Sequence, residues 1–232
     1  MADQSYRQFC PVAMAAELLC TRWTVVLLRE LMCGAYRFNE LRRGLPRISP
    51  ALLSQRLKEL EEAGIVQRRP VEREPNTFEY ALTEAGEDLR GVIVNIGEWG
   101  QRWVPSHLSL ENLDAQLLMW DMRRNLEIDP PPQRRHVIHF RYPDAPANPK
   151  AFWLIVEPGQ PVDLCSVDPG FDVDLYVSAE LRAMTAVWMG LESFLQAKAD
   201  GIVVLTGDER LAGSLHQWLK LSPFAGVQRR VA

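Results

Sequence analysis

The stretch Ile48-Ser49-Pro50-Ala51-Leu52-Leu53-Ser54-Gln55-Arg56-Leu57-Lys58-Glu59-Leu60-Glu61 decides the fold of the first half of this chain. Ser49-Pro50 supplies an N-cap and a proline at the first helical position. Gly64 supplies a C-terminal stop, so a helix is predicted through Ala63. Leu53, Leu57 and Leu60 repeat at i, i+4 and i+7 and must face a core, which leaves Ala51, Ser54, Gln55 and Lys58 on the opposite side. That outward face is small, polar and basic. A major-groove helix needs these properties: little bulk near its N-terminus, amide and hydroxyl groups for base edges, and cations for phosphate.

The neighbouring segments frame this helix. Upstream, Pro11 starts a helix in which Val12, Ala16 and Leu19 recur at helical spacing until Thr21 offers a new N-cap. A second helix runs from about Arg22 to Cys33, apolar nearly all round at Trp23 to Leu28, and stops at Gly34. Phe38 and Leu41 anchor a short third helix that ends at Gly44-Leu45-Pro46. Downstream, Ile65 to Arg69 and Phe78 to Leu82 read as two strands bridged by an exposed turn at Glu72 to Asn76. Helix, turn, helix and hairpin in this order make a mainly α winged helix-turn-helix. Thr83 then caps a predicted long helix whose Leu89, Ile93, Ile96, Gly100 and Trp103 step by 4, 3, 4 and 3, the coiled-coil rhythm of a homodimer seam.

Charge supports a nucleic-acid reading locally. The 232 residues carry 30 acidic and 26 basic groups, with 47% hydrophobic residues, ordinary globular composition. Residues 1–105 balance 14 against 14, so the deficit lies wholly in residues 106–232, and two domains with those bounds are expected. Within the first, Arg37 to Lys58 holds six basic residues (Arg37, Arg42, Arg43, Arg47, Arg56 and Lys58) against Glu40 alone. The longest charge-free runs, such as Ala183 to Leu191, fall short of the ~18 apolar residues of a membrane span. The start, Met1 to Ser5, lacks the pattern of a signal peptide, and Cys10, Cys20, Cys33 and Cys165 form no disulfide-scaffold or metal pattern. A cytoplasmic protein without membrane partner is expected.

Cys10-Pro11, Arg22-Trp23-Thr24, Arg37-Phe38-Asn39-Glu40-Leu41-Arg42, the Ile48 to Glu61 stretch and Tyr80-x-Leu82-Thr83-x-x-Gly86 together resemble the HxlR family of bacterial transcriptional regulators, over about residues 8–103. The resemblance implies a dimeric, MarR-like winged-helix DNA-binding domain without catalytic activity. It places the recognition helix on Ser49 to Leu60 and the wing on Gln67 to Glu79. Some 125 further residues depart from the family's usual length.

In those residues Asn112 to Leu126 reads as a helix, and Pro130-Pro131-Pro132 as a stiff break. His136 to Tyr142, Ala151 to Glu157, Val162 to Val167 and Phe171 to Val177 read as strands of an antiparallel meander, the last alternating apolar and polar. Helices at Ala179 to Gly190, Leu191 to Ala199 and Asp208 to Leu221, with a short strand at Gly201 to Leu205, are expected to cover the apolar face, an α+β arrangement. Val173 to Ser178, Met189-Gly190 and Ala199 to Asp208 resemble, more loosely, the sterol carrier protein type 2 fold. That resemblance implies a five-stranded sheet with helices enclosing an apolar pocket. Large apolar side chains (Met119, Trp120, Trp153, Met184, Trp188, Met189, Phe194, Trp218 and Phe224) are the candidate lining, chosen by size and polarity; for any one of them, ordinary core filling is the commoner role.

Other chemistry is weaker. Cys10 lies at a helix N-terminus, where amides and dipole favour a thiolate, and some relatives in the resembled family sense oxidants through a cysteine near this position. His136 and His139 fall on opposite faces of a strand and do not suit joint metal binding. Ser166, Asp168 and His216 lack a nucleophile-elbow motif, and Asp172 and Asp174 read as a solvated strand face. The expectation is therefore a non-enzymatic, cofactor-free, homodimeric regulator responsive to an apolar or aromatic small molecule. It would read double-stranded DNA through Arg37, Arg47, Ser49, Ala51, Ser54, Gln55, Lys58, Arg69 and Arg73. A redox repressor acting through Cys10, or a lipid or small-molecule carrier, is the alternative.

Overall fold

Local capping signals set most helix boundaries of the N-terminal unit. In the computed structural model, which describes residues 5–72, 74, 77–129 and 131–231, the chain divides into two units, Met1–Ile96 and Gly97–Ala232. The first opens with α1 (Pro11–Leu19), started by its proline, and α2 (Thr24–Met32). Thr21 is not the cap of α2. Its carbonyl closes a turn onto Thr24 N–H at 3.0 Å, and Trp23 holds the N-cap position with φ +81°. The left-handed region is costly for a bulky side chain, so neighbouring contacts must hold that turn. α3 (Phe38–Gly44) starts where the Glu40 carboxylate accepts the N–H groups of Tyr36 and Arg37, each at 3.0 Å.

α4 (Pro50–Glu62) is capped by Ser49 Oγ, which accepts Leu52 N–H at 3.2 Å. Leu53, Leu57 and Leu60 are buried, and with Leu27, Leu28, Leu31, Leu41 and Ile93 they make the core of this unit. β1 (Val66–Pro70) and β2 (Phe78–Leu82) pair antiparallel with Val66 opposite Leu82 and Pro70 opposite Phe78. Tyr36 and Arg37 add a bridge on the far edge of β2, with Tyr80 N–H donating to Tyr36 O at 2.8 Å. The core also takes in Glu30, fully buried and paired with Arg29, whose carboxylate lies where a Cβ on Gly44 would stand.

The expected single helix after Thr83 is two. Thr83 Oγ1 caps α5 (Glu84–Asp88), a turn at Leu89 interrupts the run, and α6 (Arg90–Trp103) follows. Gly86 lets α5 pack closely on the hairpin, because a Cβ there would collide with the Ile65 carbonyl oxygen. The 4-3-4-3 pattern accordingly divides. Leu89 and Ile93 serve the unit's own core, whereas Ile96 and Trp103 are exposed on α6 together with Val92 and Trp99.

The second unit is α+β, but its sheet is mixed rather than an antiparallel meander. After α7 (Ser106–Glu111), Asp114 caps α8 (Ala115–Arg124), which begins three residues later than the expected Asn112. β3 (His136–Arg141), β4 (Ala151–Val156), β5 (Asp163–Cys165), β6 (Leu175–Ala179) and β7 (Val203–Gly207) lie in the order β5-β4-β3-β6-β7. β3 runs parallel to β6, and the other neighbours are antiparallel. The last predicted strand begins at Leu175, not Phe171, because Asp174 is used as a bracket. Its carboxylate accepts Val137 N–H and the Arg134 guanidinium, each at 2.8 Å, while its backbone ties Val137 and Asp208 at 2.9 Å. The alternation survives in shifted form, with Leu175, Val177 and Ala179 buried and Tyr176 exposed.

α9 (Leu181–Trp188), α10 (Phe194–Ala199) and α11 (Glu209–Trp218) join α8 in covering this sheet. Asp144, remote in sequence, accepts Leu181 N–H at 2.8 Å and caps α9 in place of Glu180. Burial drives the Tyr142 phenol far above its ordinary range, and its protonated hydroxyl donates to Met119 Sδ at 3.1 Å. Among the described residues no single helix is long and apolar enough to cross a membrane.

Leu57→Ala is expected to cost the N-terminal unit about 2–5 kcal/mol, the range for truncating a buried leucine. Lys58→Ala on the same helix should stay within about 0.5 kcal/mol. Urea unfolding followed by circular dichroism checks the contrast.

Candidate nucleic-acid interface and apolar cleft

The three buried leucines fix the rotation of α4 and so decide what its other side offers. Ser49, Ala51, Ser54, Gln55 and Lys58 are all exposed, as are Arg37, Arg47 and Arg69. Arg73 lies outside the described residues, as do Pro75 and Asn76 of the predicted wing turn and Pro130 of the predicted linker. Ser49 has its oxygen occupied by Leu52 N–H, leaving its O–H to donate.

The basic patch is partly neutralised from within. Lys58 lies 3.5 Å from Glu62, Arg37 is 2.7 Å from Glu74, and Arg56 pairs with Glu59. The hydrogen bond and charge of Glu74 hold the Arg37 guanidinium above its ordinary range. Arg56 is turned inward, its side chain only 13% exposed, and its Nε donates to Arg22 O at 3.1 Å. Arg42, Arg47 and Arg69 have no ion pair among the described residues. Arg68 stacks over Phe78 with 3.6 Å to the ring centroid. A count of charges along the chain therefore overstates the cations available to phosphate. Arg68, stacked on the wing, was not among the sequence candidates, because only the β1–β2 pairing places it beside an aromatic ring.

Cys10 occupies the N-cap of α1. No hydrogen bond of ordinary geometry caps that helix, yet the amides of Ala13 and Val12 lower the thiol from its usual value, more than its slight burial raises it. α1 itself buries no residue. Tyr6, Phe9, Val12, Met14 and Leu18 all stand exposed, Phe9 by 98%.

In the second unit the structure brings three of the candidate lining residues together. Met184, Trp188 and Phe194, with Met122, Val187 and Leu219, line an apolar cleft of about 370 Å³ whose rim carries Glu192, His216 and Lys220. Met119, Trp120 and Trp218 are buried away from that lining. Trp120 lies under Arg123, 4.2 Å from its ring centroid, and Trp218 meets His136 edge-on at 5.9 Å. Trp153 lies on the other face of the sheet against His139, ring centroids 4.6 Å apart, and His139 also meets Tyr176. Burial and Arg141 lower the His139 imidazole from its usual value. Met189 and Phe224 are half-buried, the latter where a Cβ on Gly97 would stand.

Other polar candidates have local partners. Asp168 accepts Gly170 N–H at 2.8 Å, and Asp174 is committed to the sheet corner. Among the described residues no group of three His, Cys, Asp or Glu side chains is placed to hold a metal ion.

The helix-turn-helix with its β1–β2 hairpin defines the N-terminal unit as a DNA-binding winged helix. Residues 18–108 match the HxlR-like helix-turn-helix family. The helix-turn-helix-type transcriptional regulator YvaP of Bacillus subtilis (strain 168) is 37% identical over 103 residues, 44% of this chain and 95% of its own length. Rv3095 of Mycobacterium tuberculosis, another helix-turn-helix-type regulator, is 44% identical over 96 residues, 40% of this chain and 59% of its own length. Among solved structures, the redox regulator HypR in its reduced form has a TM-score of 0.38 at 36% identity, over 40% of this chain and 91% of that one. The chain belongs to the HxlR-like helix-turn-helix family through its N-terminal hundred residues.

Alkylation of Cys10, followed by mass spectrometry of its peptide across a pH series, is expected to have a midpoint below that of an unperturbed thiol, read from a free cysteine peptide alongside. Reactivity should persist as pH falls below that value, where such a thiol is protonated. A midpoint at or above it would remove the helix-terminus effect.

Proposed function

We propose that this family member is a homodimeric transcriptional regulator that reads a pseudo-palindromic operator and responds to an apolar or aromatic small molecule. The observation behind the DNA reading is the face of α4: three buried leucines turn Ala51, Ser54, Gln55 and Lys58 outward. In this reading Ser49, Ala51, Ser54 and Gln55 meet base edges, while Arg37, Arg47, Lys58, Arg69 and Arg73 meet phosphate or the minor groove. Arg42 and Arg68 join them as additional cations. Recognition helices of a dimer enter major grooves about 34 Å apart.

The dimer reading rests on α1 and the residues just before it, where Tyr6, Phe9, Val12, Met14 and Leu18 stand exposed. Isolated exposed apolar residues are ordinary, but five on one short segment are not. α6 adds Val92, Ile96, Trp99 and Trp103. The effector reading rests on the cleft framed by Met184, Trp188 and Phe194, whose size falls within the range of small-molecule sites. A sterol-carrier-like role for the C-terminal unit belongs to the same proposal, as does the cytoplasm as its compartment. The second reading, a redox repressor, is favoured by the lowered Cys10 thiol. It requires DNA binding that changes on oxidation and no longer does so in Cys10→Ser.

A gel shift on the DNA upstream of the protein's own gene, with light scattering for mass, tests the proposal. The dimer should bind with an affinity that falls as salt rises, and Lys58→Ala should weaken all sequences alike and lower the salt slope by about one counterion. Phe9→Glu with Val12→Glu should give a monomer and abolish operator binding. Salt-independent binding would contradict the DNA reading, and absence of binding would favour a carrier.

A further inference from the structure

The side chains between Gln55 and the turn before α2 form one chain of hydrogen bonds that the proposed function leaves unused. Gln55 Nε2 donates to Glu59 Oε1 at 2.9 Å. The other oxygen of Glu59 accepts from the Arg56 guanidinium, and Arg56 Nε donates to the carbonyl of Arg22 at 3.1 Å. Arg22 precedes Trp23, the bulky residue held in the left-handed region, so this bond anchors the relay to the strained turn. Burial raises the Glu59 carboxyl, but the Gln55 amide and the Arg56 guanidinium outweigh it and leave it below the ordinary carboxylate range.

A carboxylate only accepts, so it fixes which end of the neighbouring amide turns toward it. Left alone, a glutamine presents oxygen or nitrogen with equal ease. Beside Glu59 its nitrogen is held, which leaves the Gln55 carbonyl oxygen and one N–H for a ligand. In the major groove an acceptor meets the exocyclic amino group of adenine or cytosine, and the remaining N–H also suits adenine N7. Thymine O4 and guanine O6 are themselves acceptors and would oppose the Gln55 oxygen.

We propose that Glu59, braced by Arg56 against the Arg22 carbonyl, is a positioning residue that fixes the Gln55 amide so that it selects a base presenting an amino group in the major groove, adenine or cytosine. This inference rests on the DNA reading of α4 and adds a specificity determinant that touches no DNA itself. Arg56, which by sequence belongs to the basic patch, acts here as a brace.

Site selection by the full-length protein from a randomised duplex pool tests it, followed by anisotropy titration of duplexes differing at single positions. The wild type should prefer adenine or cytosine over thymine and guanine about tenfold at one position per half-site. A preference for adenine over cytosine would mean that the second N–H takes part, and equal preference that the oxygen acts alone; both support the inference. Glu59→Gln keeps the shape but lets residue 59 donate as well as accept, freeing the amide to turn. That variant should lose the preference at the position that Gln55→Ala also flattens, and combining the two should add nothing. Glu59→Ala should repeat the loss, and if it fails to fold Glu59→Gln decides. Retained preference in Glu59→Gln, a wild-type preference for thymine or guanine, or a loss spread evenly over all sequences would overturn the inference while leaving DNA binding intact. Failure of the wild type to bind any duplex would overturn the proposed function itself.

Discussion

The burial of Leu53, Leu57 and Leu60 is the constraint on which the rest of the N-terminal unit depends. Each removes apolar surface worth roughly 1.5–3 kcal/mol when fully buried. Because they lie on one stripe of α4, their burial also sets the helix's rotation. Turning the helix by one residue, about 100°, would expose leucine and bury lysine. The outward set Ala51, Ser54, Gln55 and Lys58 therefore follows from the core, and the core of α2 and α3 exists to receive the stripe. The buried Glu30 is an exception within that core. It is paired with Arg29, and its carboxylate fills the space that a side chain on Gly44 would need.

Electrostatics on the exposed side follow the same local logic. A segment rich in arginine looks strongly positive when its charges are counted along the chain. On the folded surface Glu59, Glu62 and Glu74 sit beside Arg56, Lys58 and Arg37. Exposed pairs of this kind are each worth little, about 0–1 kcal/mol, and a phosphate can displace the acid. Glu59 also accepts a hydrogen bond from the Gln55 amide nitrogen at 2.9 Å. The Arg56–Glu59 pair is the least exposed of the three, and its cation is turned inward to donate to the Arg22 carbonyl.

What the sequence made legible was what near neighbours determine. Ser49-Pro50, Gly64 and the leucine spacing placed α4, and the hairpin followed from two short β-rich runs around a polar turn. The misses have distant causes. At the start of α2 Trp23, not Thr21, holds the N-cap position, beside an Arg22 carbonyl that accepts from Arg56, 34 residues on. The start of β6 depends on Asp174 bracketing Val137. A parallel β3–β6 pair is invisible to alternation, which reports the face of a strand and not its direction. In the candidate cleft, size and polarity picked out residues that line it (Met184, Trp188, Phe194) and others of equal size that fill the core. A tryptophan satisfies the same burial in either place.

Two hydrophobic cores, one in each unit, also limit how an effector could act. A ligand in the cleft between Met184 and Phe194 adds stability to the unit that holds it, and that alone leaves the face of α4 unchanged. DNA affinity shifts only by as much as the ligand distinguishes two states of the whole protein, and operator DNA must distinguish the same two. A tenfold change in operator affinity needs about 1.4 kcal/mol of such difference, far less than the gain from filling an apolar site. By reciprocity the operator must then change ligand affinity by the same factor. Tight occupation of the cleft is thus no measure of regulation; the measure is how much that occupation differs with and without DNA.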